Sequence, residues 1–360
     1  MFPEIKKKLG FGCMRFPMAG DQVDVPAVQE MVDAFLAAGF NYFDTARPYH
    51  QKQSEHILRQ VLTSRYPRES YVLTNKLSPT FFEKEEDILP LFRSQLETCG
   101  VEYFDFYLFH ANSAKWHKKN TQCRAYEIVK ELKEQGYIRH IGTSFHDTAP
   151  VLDQILTEHP EIEVVQLQFN YADYLDPRVQ GKECYEVCRR HGKKILVMEP
   201  VKGGALASLP PKAEALLTGG SPASYAIRYC AGFEDIFMVL SGMSSMEQLR
   251  DNISYMASFQ PLSREEHALI DQVRTIYQGQ NKIPCTGCRY CTDGCPAGID
   301  IPVLFQCLND KHADKAAEAD ARYAAQEVKA DACVECGACE GICPQHLHIR
   351  QLLKDVAAAF

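Results

Sequence analysis

The chain has 360 residues, 46% of them hydrophobic and 24% charged, which describes a globular protein with a sizeable core and excludes a disordered one. A formal net charge of −8 gives no electrostatic reason to expect nucleic acid as a partner. No stretch approaches the roughly 18 consecutive apolar residues of a spanning helix, and residues 1–8 lack the apolar run of a signal peptide. A cytoplasmic protein with no membrane partner is therefore expected.

From Leu9 onward, short apolar runs rich in β-branched and aromatic residues alternate with longer amphipathic stretches. The runs are Leu9–Met14, Asn41–Ala46, Tyr71–Leu77, Phe104–His110, Ile138–Ser144, Val164–Asn170, Lys194–Val201 and Phe237–Met243. Each reads as a strand buried on both faces. Between them the periodicity predicts helices such as Ala27–Ala38, ended by Gly39, and Thr121–Gln135, ended by Gly136. Eight strands recurring about every 25–35 residues match an α/β fold of the (β/α)8 TIM-barrel type. The rival is a doubly wound open sheet, weakened because no G-x-G-x-x-G follows the first run. Two further helices are predicted over Met246–Ser258 and Arg264–Tyr277, and Gly279–Pro284 reads as a linker.

Cysteine usage changes sharply at that linker. Of 15 cysteines, six are scattered through the first 280 residues and nine follow Ile283. The first dense run is Cys285-x-x-Cys288-x-x-Cys291-x-x-x-Cys295-Pro296; the second is Cys333-x-x-Cys336-x-x-Cys339-x-x-x-Cys343-Pro344. Three thiolates at this spacing wrap three corners of an iron–sulfur cube, and the Cys-Pro turns away. Over residues 284–348 the pattern resembles bacterial two-cluster ferredoxins. The resemblance implies two [4Fe–4S] clusters with crossed ligands, one on Cys285, Cys288, Cys291 and Cys343, the other on Cys333, Cys336, Cys339 and Cys295. Gly287, Gly294, Gly337 and Gly341 suit a backbone passing close to sulfide. The alternative is a zinc module, which uses four ligands as separated pairs. Cys307 fits neither run and reads as a core thiol. The domains expected are a barrel over 1–280 and a small α-rich ferredoxin-like iron–sulfur domain over 281–360.

Active sites of (β/α)8 barrels lie at the C-terminal ends of the strands. There stand Asp44, Lys76 and His110, with Tyr49 in the loop after Asp44. Asp44 is the natural partner for a lysine that is costly to bury alone. Taken singly, each has a structural reading: a buried ion pair, a satisfied core histidine, a loop aromatic. Together, Asn41-Tyr42-Phe43-Asp44-Thr45-Ala46-x-x-Tyr49, Thr74-Asn75-Lys76 and Leu108-Phe109-His110 resemble the aldo-keto reductase superfamily, as do Leu9-Gly10-Phe11-Gly12 and Ile138-Arg139-x-Ile141-Gly142-x-Ser144. The resemblance spans about residues 9–260 and implies roles. Tyr49 would be the general acid toward a carbonyl oxygen, Lys76 paired with Asp44 would lower its phenol pKa, and His110 would orient the carbonyl.

The same resemblance implies NADP(H) or NAD(H) across the barrel mouth. Ser144 and Gln166 match the residues that hold the carboxamide, with Phe145 where an asparagine is expected and Met198 where a stacking tyrosine is expected. Gly242, Ser244, Ser245, Gln248 and Asn252 match the phosphate and adenine segment, although a serine-rich helix cap explains the serines equally well. Basic residues for a 2′-phosphate are missing at Gly242 and Gln248; Arg250 is nearby. Arg47, two residues before Tyr49, is expected to face the mouth, where it would grip a substrate carboxylate or sit solvated. Trp116 and His117 fall in the loop after the fourth strand.

Three function classes follow. One is an iron–sulfur oxidoreductase acting on a small carbonyl or alcohol. Another is an electron carrier or flavin-dependent reductase with FMN or FAD in the barrel, because cubes move single electrons whereas nicotinamide moves hydride. The last is a nucleotide-sensing regulator with a dead site. A redox partner protein at the ferredoxin-like domain is expected in the first two.

Overall fold

A computed structural model describes every residue except Met1, Asn281 and Asp314. Asn281 of the predicted linker and Met1 of the N-terminal segment thus lie outside the described residues.

All eight apolar runs form strands. They are β1 (Leu9–Gly12), β2 (Tyr42–Asp44), β3 (Val72–Leu77), β4 (Phe104–Asn112), β5 (Ile138–Phe145), β6 (Val164–Gln168), β7 (Lys194–Met198) and β8 (Ile236–Ser241). Each pairs in parallel with its neighbours in the chain, and β8 returns to β1, so the sheet closes into a barrel and the open-sheet alternative is excluded. The barrel interior is filled by Tyr42, Val72, Phe106, Leu108, Val164, Leu196, Met238 and Leu240. Gly10 is required there: a Cβ at this position would lie 2.7 Å from Leu240 Cδ2 and 3.0 Å from Tyr42 Cδ1. Phe2 packs edge-on against Phe106 and Phe237, whose rings are 5.0 and 4.9 Å away, and so helps close the end of the barrel opposite the site. The other faces of the strands meet the helices in one large apolar shell.

Helix boundaries differ from expectation where a cap overrides periodicity. The first helix runs Val25–Ala37, with Pro26 in its first turn and Asp24 accepting from the Ala27 amide, and Gly39 follows it in the left-handed region as predicted. The helix expected over Thr121–Gln135 is two: Ala114–Gln122 and Ala125–Glu134. Arg124 adopts φ +51° between them, which no glycine signals in the sequence. A short hairpin, Met18–Ala19 with Gln22–Val23, follows β1 and is too brief to read from alternation.

The C-terminal domain is built on helices Ile301–His312, Ala316–Ala324 and Ile349–Ala359; the first cysteine run precedes them around the short helix Tyr290–Asp293, and the second lies between the last two. Ile299, Leu304, Phe305, Leu347, Leu353 and Val356 make its core. Cys307 is fully buried, as a core thiol should be.

This domain docks on the C-terminal face of the barrel. Gln168 at the end of β6 and Gln345 exchange two side-chain amide hydrogen bonds of 2.8 and 3.0 Å while both are buried. Arg15, after β1, donates to the Thr286 carbonyl at 2.7 Å. In the loop after β7, Gly203 adopts φ +64°, and a Cβ there would lie 2.4 Å from the Thr286 carbonyl oxygen. The dock is therefore backbone against backbone at this point. Gly203→Ala is expected to loosen it by about 1–2 kcal/mol, raising the rate of proteolytic cleavage in the 279–284 segment roughly 5–30-fold. An unchanged cleavage rate would show that the contact is not what holds the domains together.

Candidate active site

The closed barrel places successive strand ends around one mouth, so residues far apart in sequence face a common space. Lys76 on β3 is fully buried and reaches Asp44 Oδ1 at 2.5 Å, the Thr45 carbonyl at 2.9 Å and the Tyr49 hydroxyl at 3.4 Å. Tyr49 is fixed by its loop: its amide donates to the Ala46 carbonyl, and His50, Gln51 and Lys52 then follow in the left-handed region. His110 on β4 is held through Nδ1 by Ser78 Oγ at 2.7 Å, and its ring meets that of Tyr49 edge-on at 5.9 Å. The four residues read from the strand ends are thus brought together.

Burial governs their charge states. It pushes the Asp44 carboxyl up and the Lys76 ammonium down, in each case against the attraction of the partner. It drives His110 well below the ordinary histidine range, and the nearby Lys76 cation adds to this, so the ring is neutral. Tyr49 is raised well above an ordinary phenol by burial, then by Tyr290 and Asp44. The expected lowering by Lys76 is therefore outweighed, because the phenolate loses more by leaving water than it gains from its neighbours.

Beneath the tetrad a polar network positions β3. The buried Glu55 carboxylate accepts from Asn75 Nδ2 at 2.9 Å and Gln95 Nε2 at 3.0 Å, and Gln95 also donates to the Lys76 carbonyl at 3.1 Å. Arg47 belongs to this network. Its Nε lies 3.0 Å from Glu55 Oε2, and an Nη donates to Ser94 Oγ at 2.8 Å. The expectation that Arg47 faces the mouth is corrected: a carboxylate with no exposed side-chain surface needs a cation, and Arg47 supplies it.

Asp44, Tyr49 and His110 border a cavity of about 290 Å³, together with Ser144, Gln166 and Met198 from the ends of β5, β6 and β7. Gly242, Ser244, Gln248 and Asn252 continue the same wall after β8. Ser245 does not: it caps helix Met246–Met256, accepting from the Gln248 amide at 3.2 Å. Gln248 Oε1 accepts from the Ser244 amide, and Asn252 donates to Ser241 Oγ. Three oxygens of residues lining this cavity, Gln166 Oε1, Asp44 Oδ2 and Thr286 Oγ1, are buried without a hydrogen-bond partner. Such orphaned acceptors suit a ligand that brings N–H donors, as a carboxamide does. Arg250 is exposed and not part of the wall, whereas Arg15 is. No motif marks Arg15 in the sequence; only a turn separates it from β1.

The C-terminal domain supplies a further part of the wall: Thr286, Cys288, Tyr290, Pro344 and Gln345. The tyrosine lies between two cysteines of the first run, and its hydroxyl is 3.4 Å from His110 Nε2. An aromatic inside a cysteine run was the only sequence signal of this contact.

Cys285, Cys288, Cys291 and Cys343 surround one small cavity together with Phe305, Leu347 and Ile349. This is the crossed set, and the fold brings it together. Burial raises these first three thiols, Cys288 to about 12, so their thiolates need compensating positive charge, as bound iron provides. Gly287 at φ +66° donates its amide toward Cys285 Sγ at 3.5 Å, and neither Gly287, Gly294 nor Gly341 has any protein atom within 4 Å of where a Cβ would stand. Among the described residues no three thiols lie within 4.8 Å of one another. Sulfurs around one zinc at 2.3 Å would be about 3.8 Å apart, so the donor set is spread too widely for a single zinc. In the second run Cys333 lies close enough to add to the upward shift of Cys339, and Cys336 is exposed. Elsewhere, His117 is buried between the Tyr126 hydroxyl and Glu158, each at 2.9 Å, which is a structural role.

Comparison with known proteins agrees with this layout. The model of the aldo/keto reductase family matches residues 8–275, and that of a 4Fe-4S dicluster domain matches residues 284–347. An aldo-keto reductase of Mycobacterium avium is 27% identical over 229 residues, covering 62% of this chain and 74% of the relative. The NADH-specific methylglyoxal reductase of Escherichia coli is 24% identical over 276 residues, covering 63% and 82%. Among solved structures, the holo form of a Bacillus halodurans aldo-keto reductase superposes with a TM-score of 0.62 at 24% identity, covering 74% of this chain and 92% of that one. A Klebsiella pneumoniae aldo-keto reductase in complex with NADPH gives 0.61 at 17% identity, covering 75% and 95%. The match over residues 8–275 and the closed parallel barrel place this chain in the aldo/keto reductase family, with a 4Fe-4S dicluster domain behind the barrel.

Proposed function

We propose that the protein is an iron–sulfur oxidoreductase that reduces a small carbonyl, or oxidises the corresponding alcohol, with a nicotinamide nucleotide. The observation that carries this reading is the shared cavity: Tyr49, His110, Gln166 and the cluster-run residue Cys288 all border one space. Bound reduced nicotinamide supplies hydride, and the cubes supply or accept single electrons.

Within the chain, Tyr49 donates its phenolic proton to the carbonyl oxygen as the carbon is reduced. Lys76, 3.4 Å from that hydroxyl and tied to Asp44, stabilises the phenolate left behind. The neutral His110, oriented by Ser78, donates a hydrogen bond to the same oxygen. Gln166 Oε1 and Ser144 orient the carboxamide, and Met198 offers a soft apolar face in place of a ring. Arg15 and Ser244 hold the phosphates, while Gln248 and Asn252 border the adenine. Cys285, Cys288, Cys291 and Cys343 hold the cluster beside the cavity. Cys333, Cys336, Cys339 and Cys295 hold the other, whose exposed side at Val334 and Cys336 is where a redox partner protein docks. The two functional units are 1–280 and 281–360. No helix among the described residues is long and apolar enough to cross a membrane, in keeping with the proposed cytoplasmic setting.

The second reading places a flavin in the same cavity. Its support is the proximity of Cys288 to a site whose stacking ring is replaced by Met198, since a flavin converts hydride into single electrons.

Anaerobic mixing with NADPH or NADH and a carbonyl panel separates the readings. We expect nucleotide consumption that needs a carbonyl. Cluster bleaching and an EPR signal on NADPH alone, in protein containing flavin, would replace the first reading with the second. Tyr49→Phe is expected to lower kcat about 10²–10⁴-fold with nucleotide affinity retained, as loss of a general acid should. A kcat within threefold of wild type would remove Tyr49 from that role. Cys343→Ala is expected to release roughly half the iron and leave the cluster of the second run, because each cube draws its fourth ligand from the other run. Loss of the second-run cluster instead would refute the crossed assignment.

A further inference from the structure

His110 marks the border between two cavities. On one side lies the nucleotide cavity; on the other a larger one of about 680 Å³ lies between the barrel and the C-terminal domain. His110, His146, Tyr290 and Pro344 border both. The larger cavity falls in the size range of small-molecule sites, about 300–1,000 Å³.

Its chemistry is one-sided. Phe81 and Trp116 of the barrel and Ile342 and Pro344 of the C-terminal domain all line it. The carboxylates on its wall are Asp147, Asp293 and Glu340, the last paired with Arg350 at 2.8 Å. Its cation is Lys115, which is exposed and lies 4.4 Å from the centre of the Trp116 ring. Its other titratable groups are His110, His146 and His346 and the Tyr290 phenol; Cys291 and Cys343, assigned above to the first cluster, also border it. Lys76, beside Tyr49, is committed to Asp44, and Arg47 to Glu55. No buried cation meets a substrate carboxylate here, while aromatic surface meets a ring.

Tyr290 stands where the two spaces join. Its hydroxyl is 3.4 Å from His110 Nε2, and the His110 ring is flanked edge-on by Tyr290 at 6.2 Å and Tyr49 at 5.9 Å. Because Ser78 fixes the far side of the imidazole, Nε2 faces the gap between two phenols.

We infer that the interdomain cavity receives an uncharged carbonyl compound with an aromatic or alicyclic body, and that Tyr290 donates a hydrogen bond to its reacting oxygen beside Tyr49 and His110. The inference rests on the carbonyl-reductase reading and deepens it. The C-terminal domain then completes the reductase site with its own side chain, besides carrying clusters. The proton still comes from Tyr49; Tyr290 keeps its own and stabilises the oxygen as charge develops.

The test uses anaerobically purified holoprotein with NADP⁺ present. Acetophenone and phenylglyoxylate share a ring and a ketone and differ by one carboxylate. Their dissociation constants are measured by saturation-transfer NMR for wild type and for Tyr290→Phe, with visible circular dichroism checking that the clusters are intact. We expect acetophenone to bind at least tenfold more tightly than phenylglyoxylate, and Tyr290→Phe to weaken acetophenone roughly five- to tenfold, as loss of one hydrogen bond should. With NADPH, kcat for acetophenone should fall about tenfold while nucleotide affinity stays unchanged. Equal affinity for the two ketones, no binding of acetophenone, or an unchanged constant in Tyr290→Phe overturns the inference even where wild type turns over a carbonyl. Binding that depends on Tyr290 without any turnover upholds the cavity and refutes the reductase reading instead.

Discussion

A lysine and an aspartate held against each other inside a closed barrel set the terms for everything at its mouth. Lys76 and Asp44 are both buried, and burial alone would discharge them. They persist as a pair because strand closure sets β2 beside β3 with Asp44 opposite Thr74 in register, two residues from Lys76. The Thr45 carbonyl then takes a second ammonium proton and the Tyr49 hydroxyl lies within reach of the third. Breaking such a pair by removing one partner typically costs about 3–5 kcal/mol, because the other charge is stranded. The network of Glu55, Asn75, Gln95 and Arg47 below it fixes the backbone of β3, so the ammonium has one position.

The second constraint is the dock. In a single barrel the mouth would be walled by its own loops. Here the Gly203–Thr286 backbone contact, the Arg15 bond and the Gln168–Gln345 amide pair bring the cysteine loops down onto the strand ends. Two consequences follow from that placement. Cys288 of the first run comes to border the same space as Asp44, Tyr49 and His110, and Tyr290, two residues further on, reaches His110. Residues of the cysteine loops and groups at the strand ends therefore line one pocket walled by both domains.

Much of this was legible in residue order. Periodicity located all eight strands because both of their faces are buried, so each appears as an uninterrupted apolar run. The cysteine runs were legible because cluster ligation is a local device: three donors at fixed spacing on one loop. The Asp44–Lys76 partnership could be read from the cost of burying a lysine alone. The residues that depart from local pattern share a physical cause. Arg47 sits beside Tyr49 in sequence yet turns inward to Glu55. Ser245 belongs to a polar segment yet serves its own helix. Arg124 breaks a helix whose periodicity continues through it. Each choice was settled by a partner distant in sequence or by a backbone angle that no motif announces.

The sequence by itself determined the barrel, the two-cluster domain and the identity of the groups at the strand ends, because those depend on short-range pattern and on residue chemistry. Tertiary structure decided how the two halves meet. It set the direction in which burial moved Tyr49, since desolvation depends on what covers the phenol and not on its neighbours in the chain. It assigned Arg15, Gln345 and Tyr290 to the mouth, since a contact between domains carries no periodicity and no spacing. And it divided the mouth into a nucleotide cavity and an interdomain one, a partition that exists only once both domains are folded and docked.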